Sequence, residues 1–172
     1  MPATHTSQSK GRTTAKGRTT AKAKQQDAIK LLMADHDEVE ALFKQFQKMK
    51  KDGSQKSDLI EQICQALKVH AEIEEEIFYP AARDALAEQG EQMLDEAEVE
   101  HASIKSLVEQ LEDADPDDEM TSAKVKVLCE YVTHHVKEEE GKMFPKIRKC
   151  GLDLDDLGME LKERKQELMG QQ

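Results

Sequence analysis

The sequence predicts an all-α fold: an up-and-down antiparallel four-helix bundle with an added C-terminal helix and a disordered N-terminal tail. Three observations carry this expectation. The composition favours helix. Hydrophobic residues make up 37% and aromatics 3% of the 172 residues, there is no Trp, and Gly and Pro are sparse. A β-sandwich would need more aromatic and β-branched residues. Next, four long stretches place apolar residues at the i, i+3, i+4, i+7 spacing of a helix with one buried face. Last, residues 1–25 hold almost no large apolar side chain and cannot bury enough surface to offset the entropy of ordering.

The elements follow in order. Ile29, Leu32, Met33, His36, Val39, Leu42, Phe43 and Phe46 make the first stripe. That helix is expected to end near Lys51, where Asp52-Gly53-Ser54 supplies turn chemistry. Ser57 with Glu61 suggests a capped start for the second helix, whose face is Ile60, Ile63, Leu67, His70, Ile73 and Ile77. Pro80 should stop or kink it, since proline lacks a backbone donor and clashes with the preceding turn. A short helical piece at 81–89 leads to Gly90 and a third helix with Met93, Leu94, Ala97, His101, Ile104, Leu107, Val108 and Leu111. The acidic stretch 113–119, with Pro116, ends it. A fourth helix carries Val125, Leu128, Val132, His135 and Met143, and Pro145 mirrors Pro80. Leu154, Leu157, Leu161 and Leu168 predict a further helix packed outside the bundle. Three units result: a basic low-complexity tail at 1–25, the bundle at 26–150 and the C-terminal helix at 151–172.

Charge and cysteine usage narrow the function. The net charge is −11, yet the tail carries Lys10, Arg12, Lys16, Arg18, Lys22 and Lys24 and no acid. Removing that +6 leaves −17 on the rest. An acidic body repels nucleic acid, so any polyanion contact falls to the tail, where GRTTAK occurs twice in succession. With no aromatic interleaving, the tail reads first as a solubilising spacer and second as a weak, salt-sensitive polyanion contact. Cys64, Cys129 and Cys150 are odd in number and form no CxxC pair, which points to reduced thiols. No apolar run nears the roughly 20 residues of a membrane span, and no secretory h-region opens the chain. The expectation is a cytoplasmic protein that does not enter a membrane; the oligomeric state is open.

An internal repeat carries the chemistry. A shift of 65 residues takes His36 to His101, Cys64 to Cys129, His70 to His135, Glu74 to Glu139, Glu75 to Glu140, Tyr79 to Phe144 and Pro80 to Pro145. The segments HAEIEEEIFYP and HVKEEEGKMFP align without a gap. In His-x-x-x-Glu the two residues lie about 40° apart on a helix and project from one face. Ile63 and Ile77 flank His70 at seven residues either side, so His70 points into the core stripe. His36 and His101 interrupt the stripes of their own helices in the same way. Four imidazoles and two carboxylates in an apolar core are costly unless something neutralises them, and a cation cluster does so. Imidazole with carboxylate suits iron, manganese or zinc better than calcium or magnesium, and two carboxylates able to bridge favour a pair of irons. The expected ligands are His36, His70, Glu74, His101, His135 and Glu139.

Each element has a plainer explanation alone. A single histidine on an apolar stripe is more often a hydrogen-bonded core residue, and a Glu-rich run is usually solvated. By that rule Glu72 and Glu76 belong on the surface. The same set at equal spacing in both halves outweighs the plain reading. Glu75 and Glu140 are alternates or supporting groups. Glu40 is set aside because its counterpart is Lys105. Tyr79 and Tyr131 are candidates for a supporting or redox role. No nucleophile–base pair, Gly-rich phosphate loop or Cys–His dyad is in register, so a binding protein is favoured over an enzyme.

With those residues in view, the chain resembles the hemerythrin-like (HHE cation-binding) family over roughly residues 28–149, and 152–168 looks like the C-terminal extension of many bacterial members. The resemblance implies a non-haem di-iron centre held by the same six residues. It also implies oxygen chemistry there: reversible binding, sensing or reaction with peroxide. Classical oxygen carriers of the family place a further histidine where this chain has Lys105, and an aspartate where it has Glu140. The carboxylate-richer set favours the oxidised metal and shifts the expected role from oxygen carriage to sensing, peroxide chemistry or iron handling. Two alternatives remain: a redox-inert, metal-stabilised interaction module, and a stress-related protein that associates with DNA through its tail.

Overall fold

The computed structural model describes residues 26–49 and 53–170. The tail expected to be disordered, residues 1–25, lies outside them, as does Asp52 of the expected turn. Among the described residues the secondary structure is entirely helical. Helix α1 (Ala28–Lys48) opens on Asp27, whose side chain accepts a hydrogen bond from the Lys30 backbone and satisfies one of the free N–H groups of the first turn. Helix α2 (Gly53–Ile73) begins a turn earlier than Ser57 suggested. Ser57 is therefore inside the helix and caps nothing, and Glu61 sits one position beyond the reach of a capping box.

The prolines do not stop their helices. After α2, a single π turn at Glu74–Phe78 leads into α3 (Tyr79–Leu86), with the Tyr79 N–H bonded five residues back to the Glu74 carbonyl. The second half repeats this. Helix α4 (Glu91–Glu112) is followed by α5 (Glu119–Glu138), a π turn at Glu139–Met143 and α6 (Phe144–Ile147), with the Phe144 N–H on the Glu139 carbonyl. Pro80 and Pro145 each fall in the first turn of the resumed helix, where a missing N–H is tolerated. The helix widens where proline would otherwise break it, and in both halves the wide turn starts at the glutamate of His-x-x-x-Glu.

The four long helices α1, α2, α4 and α5 form a ring in which chain neighbours are antiparallel. Helix α7 (Leu154–Gly170) lies across α1 and α2, burying Leu157 and Leu161. It approaches closely because Gly158 has no side chain: a Cβ there would lie 2.7 Å from the Gln26 carbonyl oxygen. The core has two parts. One joins Ile29, Leu32, Ile73, Phe78, Leu94, Phe144 and Leu161. The other joins Val39, Phe43, Ile63, Leu67, Ile104, Val108, Leu128 and Val132. Between them in every long helix comes a buried histidine, so a polar layer crosses an otherwise apolar bundle. Met33 departs from its expected stripe and is exposed. Cys64, Cys129 and Cys150 are free thiols, and burial pushes the Cys64 thiol up to about 11. No described helix is long and apolar enough to cross a membrane.

Candidate metal centre

The polar layer brings His36 from α1, His70 from α2, His101 from α4 and His135 from α5 together with Glu74 and Glu139, the first residues of the two π turns. All six are buried. The imidazoles meet in pairs through their inner nitrogens: His36 Nε2 is 3.1 Å from His70 Nε2, and His101 Nε2 is 3.0 Å from His135 Nε2. Each carboxylate faces one histidine of each pair. Glu74 Oε2 lies 3.1 Å from His70 Nε2 and 3.4 Å from His101 Nε2. Glu139 Oε2 lies 3.2 Å from His36 Nε2 and 3.5 Å from His135 Nε2. Donor atoms of His36, His70, Glu74 and Glu139 fall within 4.8 Å of one another, as do those of Glu74, His101 and His135.

Outside this ring, each imidazole turns Nδ1 towards a carboxylate. Glu140 Oε1 is 2.8 Å from His36, Glu75 Oε1 is 3.0 Å from His101, and Glu100 Oε2 is 2.9 Å from His135. Asp35 Oδ2 stands farther from His70, at 3.6 Å. A carboxylate accepts, so the three close contacts put the proton on Nδ1 of His36, His101 and His135, and the Nε2 lone pairs of His101 and His135 then face each other. Two facing lone pairs repel unless a cation lies between them. Glu74 Oε1 is also buried with no hydrogen bond. The donor set therefore fits metal cations, and nitrogen with carboxylate oxygen is the ligand chemistry of first-row transition ions.

Without a metal, protons are the other means of neutralisation. Burial disfavours the imidazolium of His70, but Glu74 and Asp35 outweigh it and raise its pKa to about 10. Burial likewise opposes the charge on His101, and Glu74 and Glu75 lift it to about 9. Glu74 is buried too, yet His70 and His101 hold it well below the usual carboxylate range. The His101 hydrogen bond, helped by Lys105, lowers Glu75 to about 2.

Two residues flagged in the sequence separate here. Tyr79 is buried, and its Oη donates to Glu139 Oε1 at 2.9 Å while lying 3.2 Å from His101 Nε2. Tyr131 is exposed and does not reach the centre. Phe144, the repeat partner of Tyr79, stacks on His36 with centroids 5.9 Å apart. Glu72 and Glu76 are exposed, as expected for a solvated face. Lys105, where oxygen carriers would have a histidine, sends Nζ to both oxygens of Glu75 at 2.8 and 2.7 Å. Asp35 and Glu100 did not emerge from the sequence, although they are 65 residues apart and each precedes the first histidine of its half.

A helical bundle whose core layer is built of histidine and glutamate defines a class: a cation-binding four-helix bundle. The sequence profile of the hemerythrin HHE cation binding domain matches residues 27–147, and the chain belongs to that family. A hemerythrin HHE cation binding domain-containing protein of Mycobacterium kansasii has the same fold, with a TM-score of 0.72 at 19% identity over 84% of this chain and 88% of that one. A DNA nickase of a Nostoc species is 33% identical over 123 residues, 72% of this chain. The present chain spans only 33% of that relative's length.

Proposed function

We propose that the protein is a di-iron protein that senses or reacts with dioxygen or peroxide, or holds iron for such chemistry. His36 and His70 would hold one ion, His101 and His135 the other, and Glu74 and Glu139 would bridge. The observation that carries this reading is the placement of each carboxylate between one histidine of each pair. A pair of irons would supply electron exchange with a small oxygen species. The protein groups do the rest. Against the four histidines lies a cavity of about 20 Å³, lined by Val39, Leu67, Ile104, Val132 and Val136. It has room for about one water-sized molecule. Its walls are mainly apolar. Tyr79 holds a proton at Oη, 2.9 Å from Glu139 Oε1.

The test is anaerobic loading of the full chain with ferrous iron, then metal analysis and an optical spectrum after oxidation, with and without azide. The expected result is two irons per chain and a ligand-to-metal charge-transfer band that azide shifts. A chain that retains no iron, or shows no such band, overturns the reading. Zinc or manganese retained in preference to iron would favour the redox-inert module.

The Nostoc relative and the basic tail support a second reading, contact with DNA through residues 1–25. Gel shifts at low salt, with the full chain and with a chain starting at Gln26, test it. Binding by the full chain alone, weakening steeply as salt rises, is expected. No shift by the full chain ends the idea.

A further inference from the structure

Helix α7 does more than cover the apolar core beneath it. Its Lys165 reaches back 130 residues in sequence, and Nζ donates to Asp35 Oδ1 at 2.6 Å. Asp35 is the carboxylate that faces the outer nitrogen of His70. We propose that Lys165 is a positioning residue of the metal centre: by holding Asp35 it sets the basicity of His70, so the C-terminal helix tunes one cation position. The proposal rests on the reading that His70 holds iron.

The geometry singles out His70. The other three histidines have a carboxylate oxygen within 2.8–3.0 Å of Nδ1. At His70 the gap is 3.6 Å, and neither His70 Nδ1 nor Asp35 Oδ2 makes a hydrogen bond. A cation behind the carboxylate does not by itself cause this, since Lys105 grips both oxygens of Glu75 and Glu75 still meets His101. The difference lies in reach and direction. Aspartate is one methylene shorter than glutamate, and Lys165 comes from α7 while His70 is on α2, whereas Lys105 and His101 share α4, so Asp35 does not close on both partners. Water is a poor substitute, because the Asp35 side chain is 9% exposed. Asp35 also lines both the small cavity at the histidines and a solvent groove of about 320 Å³ walled on one side by Lys165 and Met169.

The chemical consequence has a definite sign. A carboxylate that accepts fully from Nδ1–H pushes electron density onto the ring and makes Nε2 a stronger donor to a metal. An ammonium that draws the carboxylate away weakens that push. In Lys165→Met the stem remains but the charge is gone, and the His70 N–H becomes the donor that Asp35 turns to. A stronger imidazole donor favours ferric over ferrous iron, so the midpoint potential falls.

The experiment is redox titration of the iron-loaded full chain, with iron content measured on each sample first. Lys165→Met is expected to load iron and titrate at lower potential than the wild type, with its ferric charge-transfer band shifted. Lys165→Arg restores both. Arg164→Met is the control on the same helix. It removes the ion pairs to the exposed Glu72 and Glu76 without touching Asp35, and is expected to titrate as the wild type does. A Lys165→Met protein that loads iron and keeps the wild-type potential overturns the proposal alone. So does an Arg164→Met protein that moves as far as Lys165→Met, since helix docking and not the Lys165–Asp35 contact would then be responsible. A wild-type chain that takes up no iron sinks both the proposal and the di-iron reading.

Discussion

The two halves of the bundle carry the same inner groups in unequal surroundings. In the α1–α2 half, α7 lies over the outer face, and the carboxylate behind His70 is buried and held by Lys165. In the α4–α5 half no described helix takes that place. Glu100, behind His135, is 25% exposed and also meets His134 at 3.3 Å, while Val99 and Tyr131 stand in solvent. The aromatic that ends each repeat differs too: Tyr79 donates a hydrogen bond into the centre, and Phe144 only stacks on it. A duplicated pattern of inward groups therefore does not make two equivalent environments. The repeat sets which atoms point inward, and the groups around them decide how strongly each is held.

Removing a shared group should break this comparison most completely. Glu74→Ala takes away the carboxylate that faces His70 and His101 together. It is expected to abolish tight binding at both positions, whereas His70→Ala and His135→Ala each leave one ion, as metal analysis after gel filtration would read. Glu74→Ala should also lose the thermal stabilisation that bound metal confers, and the two histidine variants part of it. Equal retention by all of them would mean that the carboxylates do not bridge.

Next in size are the covers. Leu161, fully buried in α7, should cost about 2–5 kcal/mol as Leu161→Ala. Val99→Ala on the open face should stay within about 0.5 kcal/mol. Urea denaturation measures both. Matching losses would mean that the open face is covered in solution.

The outer carboxylates sharpen the contrast further. Partners of this kind typically change metal affinity by roughly 10- to 100-fold. Glu100→Gln is expected at the upper end of that range, because Glu100 accepts from His135 Nδ1 at 2.9 Å, and Asp35→Asn at the lower end, because Asp35 stands 3.6 Å from His70. Titration against a competing chelator would rank them, and the reverse order would mean that burial outweighs the hydrogen bond.

The smallest effect is a pH dependence. With folded values of about 10 for His70 and about 9 for His101, both above the unfolded value, the metal-free protein gains stability from these groups below about pH 6.5. That gain is lost as pH rises through the folded values, so metal-free stability should fall between about pH 6.5 and 10. A metal displaces the same protons, and its binding near pH 7 should release them from both halves. Calorimetry in two buffers of different ionisation enthalpy reads that release. Binding heats that do not depend on buffer would contradict it.

Much of this was legible in the sequence, for a physical reason. A helix converts spacing into direction, so four interrupted apolar stripes and two His-x-x-x-Glu pairs were enough to expect a bundle with six groups pointing inward. The same 65-residue repeat also holds Asp35 and Glu100, but one acid beside a histidine in a chain with 36 acids carries little signal. The π turns were hidden because a period of 3.6 says nothing about one added residue. Proline therefore read as a stop where the helix in fact widens.

By itself, the sequence determined the helical class, the buried faces and the identities of the inward groups, since these follow from local periodicity and from a repeat within one chain. Only the tertiary structure decided which histidine meets which, that each carboxylate stands between the two pairs, and that Asp35 bonds Lys165 while standing off His70. Those are distances between helices far apart in sequence, and no local pattern encodes the packing that sets them.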